Sequence, residues 1–349
     1  MALLRWWRRL ADRIGGWFRR APVPGRFESG SKFSAHGAVG TAPLVWPSRD
    51  YLVYVPKGRR RWRRVPLLVL CHGCRQTPEE LAQGTRIAAF ADRVGCVVLL
   101  PRQKDSANAW RCWNWFDART AAGNGEAAIV AAQIRSVRRA YRIDRKRVYV
   151  AGMSAGGALA AAIGVRFPNL VAAIAVHSGL ACGAAHSVHS ALSVMKRGPD
   201  QDVEAIAANA RAAASRDVRV PLLVIHGGND DIVAPRNAHA LVRQYLRLND
   251  HAAVAVADAT STLPVADVER ILPVADGRIA RVMDWLHEGR VVVRYVEVDG
   301  LGHAWSGGDA TLPFNDAQPP DATSLLGDFI ADALSSRPQG GKTRWLFRA

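Results

Sequence analysis

The sequence predicts an α/β fold: a mostly parallel, doubly wound sheet flanked by helices. Short apolar runs of buried-strand type alternate with segments of helical pattern, the sequence form of βαβ units. The residues able to do chemistry fall just after those runs, at the strand ends where open α/β sheets bind ligands. With 349 residues, 49% of them hydrophobic, the chain can bury a sizeable core, and sheets of this kind extend past about 250 residues as one unit.

Residues 1–26 read as a basic amphipathic helix. Leu3, Trp7, Leu10, Ile14 and Trp17 recur at spacings of three and four among Arg5, Arg8, Arg9, Arg13, Arg19 and Arg20. That is the composition of an interfacial segment. Three readings stay open: residues 1–20 bind a membrane or particle surface, cover an apolar patch of their own domain, or are disordered. Residues 27–47 are rich in Pro, Gly and Ser and read as a linker. A folded domain is expected over 48–336, followed by a polar, basic tail at 337–349.

Within the domain, Tyr51–Pro56 reads as a strand, and the basic turn Lys57–Arg64 leads to the buried strand Val65–Leu70. Thr77-Pro78-Glu79-Glu80 opens a helix with proline at its first position, running to about Val94. Cys96–Leu100 is a further buried strand, halted by Pro101, and Glu126–Tyr141 is a helix. The strand Arg147–Ala151 then enters Gly152-Met153-Ser154-Ala155-Gly156. Leu170–Val176, Pro221–Ile225 and Val291–Val298 supply later strands, and 321–335 a closing helix. Residues 180–215 read as a cap-like segment and 250–285 as an irregular insertion.

A strand running into G-x-S-x-G and then a helix of small residues is a nucleophile elbow, tight enough that glycine is needed on both sides of the serine. Ser154 is therefore the candidate nucleophile. A serine hydroxyl needs a base, and four histidines follow the candidate acids. His239, His251 and His287 are assigned to a helix or to the insertion, while His303 lies in the loop Gly300–Gly308 after the last strand. The stretch after Pro221–Ile225 carries Asp230 and Asp231. Spacing does not choose between them, and one is expected to cap the helix after Pro235. The order Ser, Asp, His is that of the α/β-hydrolase fold. His177 and His226 close strands too early in that order and read as satisfied structural histidines. Oxyanion donors are expected from Ala155 N–H and from the loop at Cys74.

Several classes are excluded. The formal charge of +17, with 41 of 47 basic residues arginine, suggests nucleic acid, but the arginines are spread along the chain and that partner is not expected. Cys71-His72-Gly73-Cys74 has the C-x-x-C spacing with no second pair, so neither metal, cofactor nor redox chemistry is expected. No run of 18 apolar residues predicts a transmembrane helix, and no signal peptide is visible.

Five stretches together resemble the polyhydroxybutyrate depolymerase family of esterases, which includes acetylxylan and feruloyl esterases. They are Cys71–Pro78, Cys112-Trp-Asn-Trp-Phe116, Arg147–Gly157, His226-Gly-Gly-Asn-Asp230 and Gly302–Gly308. The resemblance covers roughly residues 48–336, apart from the insertion. It implies the triad Ser154, Asp230 and His303, with Asp230 chosen over Asp231. It also implies an oxyanion hole from Cys74 and Ala155, and substrate contacts from Trp305, Trp113 and His72. A Cys74–Cys112 disulfide is hypothesised from their placement beside one pocket. The implied activity is hydrolysis of short-chain or 3-hydroxyalkanoate oligo- or polyesters. Alternatives are a carbohydrate-ester esterase, a serine peptidase on the same fold, or a non-enzymatic surface binder using the N-terminal helix. An ester substrate is the expected partner, with a membrane or polyester-granule surface for residues 1–20. The resemblance implies an extracellular location; the lack of a visible signal peptide keeps a cytoplasmic one open.

Overall fold

The apolar runs of the sequence become the central strands of one ten-stranded sheet. The computed structural model describes residues 25–33, 48–60, 62–212, 219–253, 263–272 and 277–334. The chain begins with β1 (Arg26–Phe33), β2 (Ser48–Val55) and β3 (Val65–Cys71), then α1 (Pro78–Gly84), α2 (Ile87–Val94) and β4 (Val97–Pro101). Next come α3 (Ala118–Ala121), α4 (Gly125–Ala140), β5 (Ile143–Met153), α5 (Ala155–Arg166) and β6 (Ala173–His177). Helices α6 (Val188–Arg197) and α7 (Val203–Ala212) precede β7 (Leu222–Gly227) and α8 (Arg236–Leu248). The chain continues through β8 (Val268–Leu272), β9 (Ala280–His287) and β10 (Arg290–Val298), the short pair β11 (Trp305–Ser306) and β12 (Asn315–Asp316), and α9 (Ala322–Leu334).

The sheet order is β1-β2-β4-β3-β5-β6-β7-β10-β9-β8. The six strands from β4 to β10 are parallel, and antiparallel strands extend both edges. Alternation along β3 shows why both faces are covered. Leu67, Val69 and Cys71 join a core with Ile134 of α4, Leu159 of α5 and Tyr245 of α8. Leu68 and Leu70 join Leu81, Ile87, Phe90 and Phe329 on the other face. A strand buried on both faces must be apolar throughout, which is why these runs were legible.

Four expectations change. The linker over 27–47 is a strand as far as Phe33: β1 pairs with β2 along its whole length, from Arg26 opposite Val55 to Phe33 opposite Ser48. Its sequence, RFESGSKF, is polar because it is an exposed edge. The irregular insertion over 250–285 contains β8 and most of β9, which pair antiparallel and widen the sheet beyond β10. The single helix expected from Pro78 to Val94 is two. The capping box of Thr77 and Glu80 opens α1, and Arg86 in the left-handed region (φ 53°) breaks the chain before α2. Gly84, at that break, accepts the Asp309 N–H and packs against Asn315. Neither Asp230 nor Asp231 caps α8, whose N-cap is Pro235.

Residues 180–215 provide α6 and α7. Gln244 of α8 donates to the Val203 carbonyl (3.0 Å) and Asn237 to that of Val194 (2.9 Å), so both helices pack along α8. The helix expected over 1–26 lies outside the described residues except for Gly25 and Arg26, the latter being the first residue of β1; the rest of the linker (34–47) and the tail 337–349 also lie outside them. Among the described residues no helix is long and apolar enough to cross a membrane.

Candidate active site

β5 delivers Ser154 through a backbone that few residues tolerate. Ser154 has φ 55° and ψ −123°, and its N–H donates to the His177 carbonyl at the end of β6 (2.9 Å). A Cβ on Gly152 would lie 2.3 Å from the Gly156 oxygen, and one on Gly156 would lie 2.2 Å from the Cys71 oxygen. Both glycines are therefore fixed by contact, and the second lets α5 start directly against the end of β3. The serine sits at the N-terminus of α5, where unpaired N–H groups favour negative charge.

The acid and the histidine come from neighbouring strand ends, since β7 and β10 are paired. Their loops are interlocked. Gly228 N–H donates to Val298 O (2.9 Å) and Asn229 N–H to Leu301 O (3.1 Å). A Cβ on Gly227 would fall 2.1 Å from Leu301 O, so only glycine permits this approach. The result is a hydrogen bond between His303 Nδ1 and Asp230 Oδ2 at 2.8 Å. The other carboxylate oxygen accepts the N–H groups of Ile232 (3.0 Å) and Val233 (2.8 Å). Asp230 is buried, whereas Asp231 is exposed. Burial raises the Asp230 pKa, but the His303 bond and charge and the Val233 N–H outweigh it and hold the carboxyl below its usual range.

Ser154 Oγ makes no hydrogen bond to His303 in this structure; such contacts are often long in unliganded hydrolases and tighten on substrate binding. His177 is linked to both. Its carbonyl holds Ser154, its ring is stacked on Trp305 (centroids 5.0 Å apart), and the His303 charge acts on it. Burial pushes the His177 pKa down to about 3, so its ring is neutral. The expectation that His177 and His226 are satisfied histidines holds for one nitrogen each. His177 Nδ1 meets Ser178 Oγ (3.2 Å) and His226 Nε2 meets Val233 O (2.7 Å), while His177 Nε2 and His226 Nδ1 are buried without a partner among the described residues. His226 Nε2 also stands 3.5 Å from Asp230 Oδ2, which makes this residue a neighbour of the acid that chain order alone could not reveal.

After β3, the loop at Cys74 turns toward Ser154: a Cβ on Gly73 would sit 3.4 Å from the serine Cβ. Gly73 N–H is taken by Gln76 Oε1 (2.8 Å) and Arg75 N–H by Trp110 O (2.7 Å). The N–H groups of Cys74 and Ala155 have no acceptor among the described residues. Cys74 and Cys112 form a disulfide that ties this loop to the Cys112–Phe116 stretch, while Cys71, Cys96 and Cys182 are buried thiols.

The substrate contacts expected from His72 and Trp113 do not hold. Trp113 is completely buried and His72 is 1% exposed. His72 Nε2 accepts the Gln103 N–H (3.1 Å), so Nδ1 carries the proton and donates to Gly73 O (2.8 Å). With burial holding its pKa near 4, this ring is a neutral brace for the Cys74 loop. Trp305 is 3% exposed, with its indole N–H donated to Thr323 Oγ1 (3.2 Å) and its ring stacked on His177. Sequence reading missed a further brace. Glu126 at the start of α4 is buried and accepts from Arg49 (2.9 Å), Gln103 Nε2 (2.6 Å) and Asn114 N–H (2.7 Å), joining β2 to the disulfide loop. The only available signal was a carboxylate one residue into a helix.

Comparison with known proteins places the chain among esterases. The family model described as Esterase PHB depolymerase matches residues 49–264. Poly(3-hydroxyalkanoate) depolymerase C of Paucimonas lemoignei is 30% identical over 195 residues, 55% of this chain and 46% of that protein. Acetylxylan esterase A of Emericella nidulans is 25% identical over 236 residues, 65% of this chain and 73% of that protein. The chain spans about half the length of the depolymerases it matches. Among solved structures, the acetyl xylan esterase from Aspergillus awamori superposes with a TM-score of 0.64 at 17% identity, covering 88% of this chain and 99% of that one, and shares the fold.

Proposed function

We propose, for a chain that belongs to the Esterase PHB depolymerase family, a serine carboxylic-ester hydrolase acting through Ser154, His303 and Asp230. The observation that carries this reading is the 2.8 Å bond between Asp230 and His303, with the second oxygen of Asp230 held by two backbone N–H groups. A carboxylate so fixed keeps the proton of His303 on Nδ1 and leaves Nε2 free as a base. Ser154 Oγ attacks the ester carbonyl as Nε2 takes its proton. The developing oxyanion accepts from the Cys74 and Ala155 N–H groups. Nε2 then protonates the leaving alkoxide, giving an acyl-enzyme. Water attacks it with the same nitrogen as base, releasing the carboxylic acid and restoring Ser154.

The substrate class we favour is a short-chain or 3-hydroxyalkanoate ester, oligomeric or polymeric, on the strength of the P. lemoignei relative. A carbohydrate ester is the second reading, favoured by the acetylxylan esterase that covers more of this chain. The Cys74–Cys112 disulfide supports an oxidising, extracellular compartment. Turnover of p-nitrophenyl butyrate by wild type and Ser154→Ala tests the mechanism: the variant is expected to lose the activity, and equal rates reject the proposal. Rates across acyl chain lengths, aryl acetates and 3-hydroxybutyrate oligomers then separate the two substrate classes.

A further inference from the structure

The end of the sheet remote from Ser154 carries an unusual concentration of cations. A depression of about 390 Å³ is lined by Arg64, Arg135, Arg138, Arg139, Arg142 and Arg145. A second, of about 220 Å³, shares Arg64 and adds Lys57, Arg60 and Arg63. The topology fixes its position: Val65 and Ile143 begin the parallel pair β3 and β5, whose far ends are Cys71 and Gly152. Six residues of β3 correspond to about 20 Å between this basin and the catalytic loops.

Among the described residues, none of the six arginines of the first depression is paired with a carboxylate. Arginines elsewhere are: Arg49 with Glu126, Arg243 with Glu204, Arg294 with Asp284. The Arg138 pKa is lowered, first by burial and then by the charges of Arg145, Arg135 and Arg139. The C-terminus of α4 faces the cluster, but a helix end supplies the equivalent of only about half a negative charge. Arg142 also occupies the left-handed region (φ 46°) just past the helix, where glycine or asparagine is the relaxed choice. Six guanidinium groups therefore converge without a direct ion pair among the described residues; the nearby carboxylate of Asp144 is bonded to Arg147 and, of the six, feels only the charge of Arg64.

We propose that this arginine basin docks the enzyme on an anionic phospholipid surface, with the catalytic end facing away. The recognised chemistry is the negative charge of the headgroup phosphates, which clustered guanidinium groups attract. Lipid is favoured over nucleic acid by what surrounds the basin. Trp62, 68% exposed, stands at the rim beside Arg60, and tryptophan with arginine is the composition of a membrane interface. Arg26 pairs with Val55, so residues 1–24 join the fold at this same rim. Their sequence brings six further arginines with Trp6, Trp7 and Trp17, and an apolar repeat that a polyanion in water would leave unused.

The test is sedimentation of the full chain with vesicles of phosphatidylcholine alone or mixed with phosphatidylserine. Wild type is expected to bind the mixed vesicles only, and raised salt to release it. R138Q/R139Q/R145Q is expected to lose at least about tenfold in partitioning, and the matching triple lysine variant to retain most of it, with p-nitrophenyl butyrate turnover equal in all three. Equal binding by the glutamine variant overturns the proposal and returns any membrane affinity to the N-terminal segment. So does indifference of wild type to the anionic lipid, or retention of duplex DNA with no binding to vesicles.

Discussion

At the scale of single residues, the site turns on how the oxygens of Asp230 are used. Oδ1 is taken by two backbone N–H groups, so Oδ2 alone faces His303, with the ring of His226 3.5 Å from it. In Asp230→Asn an amide nitrogen can face His303 Nδ1, moving the imidazole proton to Nε2, where it blocks the nucleophile. The expected outcome is a fall in kcat of about 10³- to 10⁴-fold with KM nearly unchanged, read from p-nitrophenyl butyrate kinetics. An Asp231→Asn variant is expected to match wild type, because that side chain is exposed. Ser154, Asp230 and His303 could be found in the sequence because each follows a strand. The roles of His72 and Trp113 could not: both flank the motif, and only the packing of the Cys112 stretch beneath the Cys74 loop shows them to be enclosed.

Single elements show where local pattern reaches and where it stops. Central strands were legible because burial on both faces demands apolar runs, and α4 because its apolar positions recur at helical spacing. Edge strands obey no such demand. β1 alternates exposed and half-buried residues, and β8 leaves Val268 and Ile271 exposed, so each is defined only by the neighbour it pairs with. The elbow is the opposite case, since backbone contact alone fixes its glycines. Gly156→Ala forces a methyl group against the Cys71 and His72 carbonyls and is expected to yield little soluble protein, with any folded fraction inactive. The Cys74–Cys112 bridge closes a loop of 38 residues, for which chain entropy gives roughly 3 to 4 kcal/mol. C74S/C112S should lower the urea-unfolding free energy by about that amount. It should also reduce kcat, because the loop offering the Cys74 N–H loses its tie; unchanged stability and rate would refute this account of the disulfide.

For the whole molecule, the buried histidines set how stability responds to acid. The folded pKa of His72 lies near 4 and that of His177 near 3, both lowered chiefly by burial, against about 6.5 in an unfolded chain. Between those values the unfolded state binds more protons, so stability rises with pH across this window and is lost as pH falls below 6.5. Each ring contributes roughly 2 to 3 kcal/mol to that loss by pH 4.5. Asp230 works in the same direction at lower pH: its depressed pKa lends stability above the usual carboxylate range, which disappears as the group is protonated. A net charge of +17 that grows on acidification adds self-repulsion of the same sign. Urea unfolding at pH 7 and pH 4.5 should therefore show a much lower free energy at the acid value. His177→Gln retains the carbonyl that holds Ser154 and removes one titrating ring, so it should narrow the gap between the two pH values by roughly 2 kcal/mol. A variant with the same pH dependence as wild type would mean that His177 is not buried as a neutral ring.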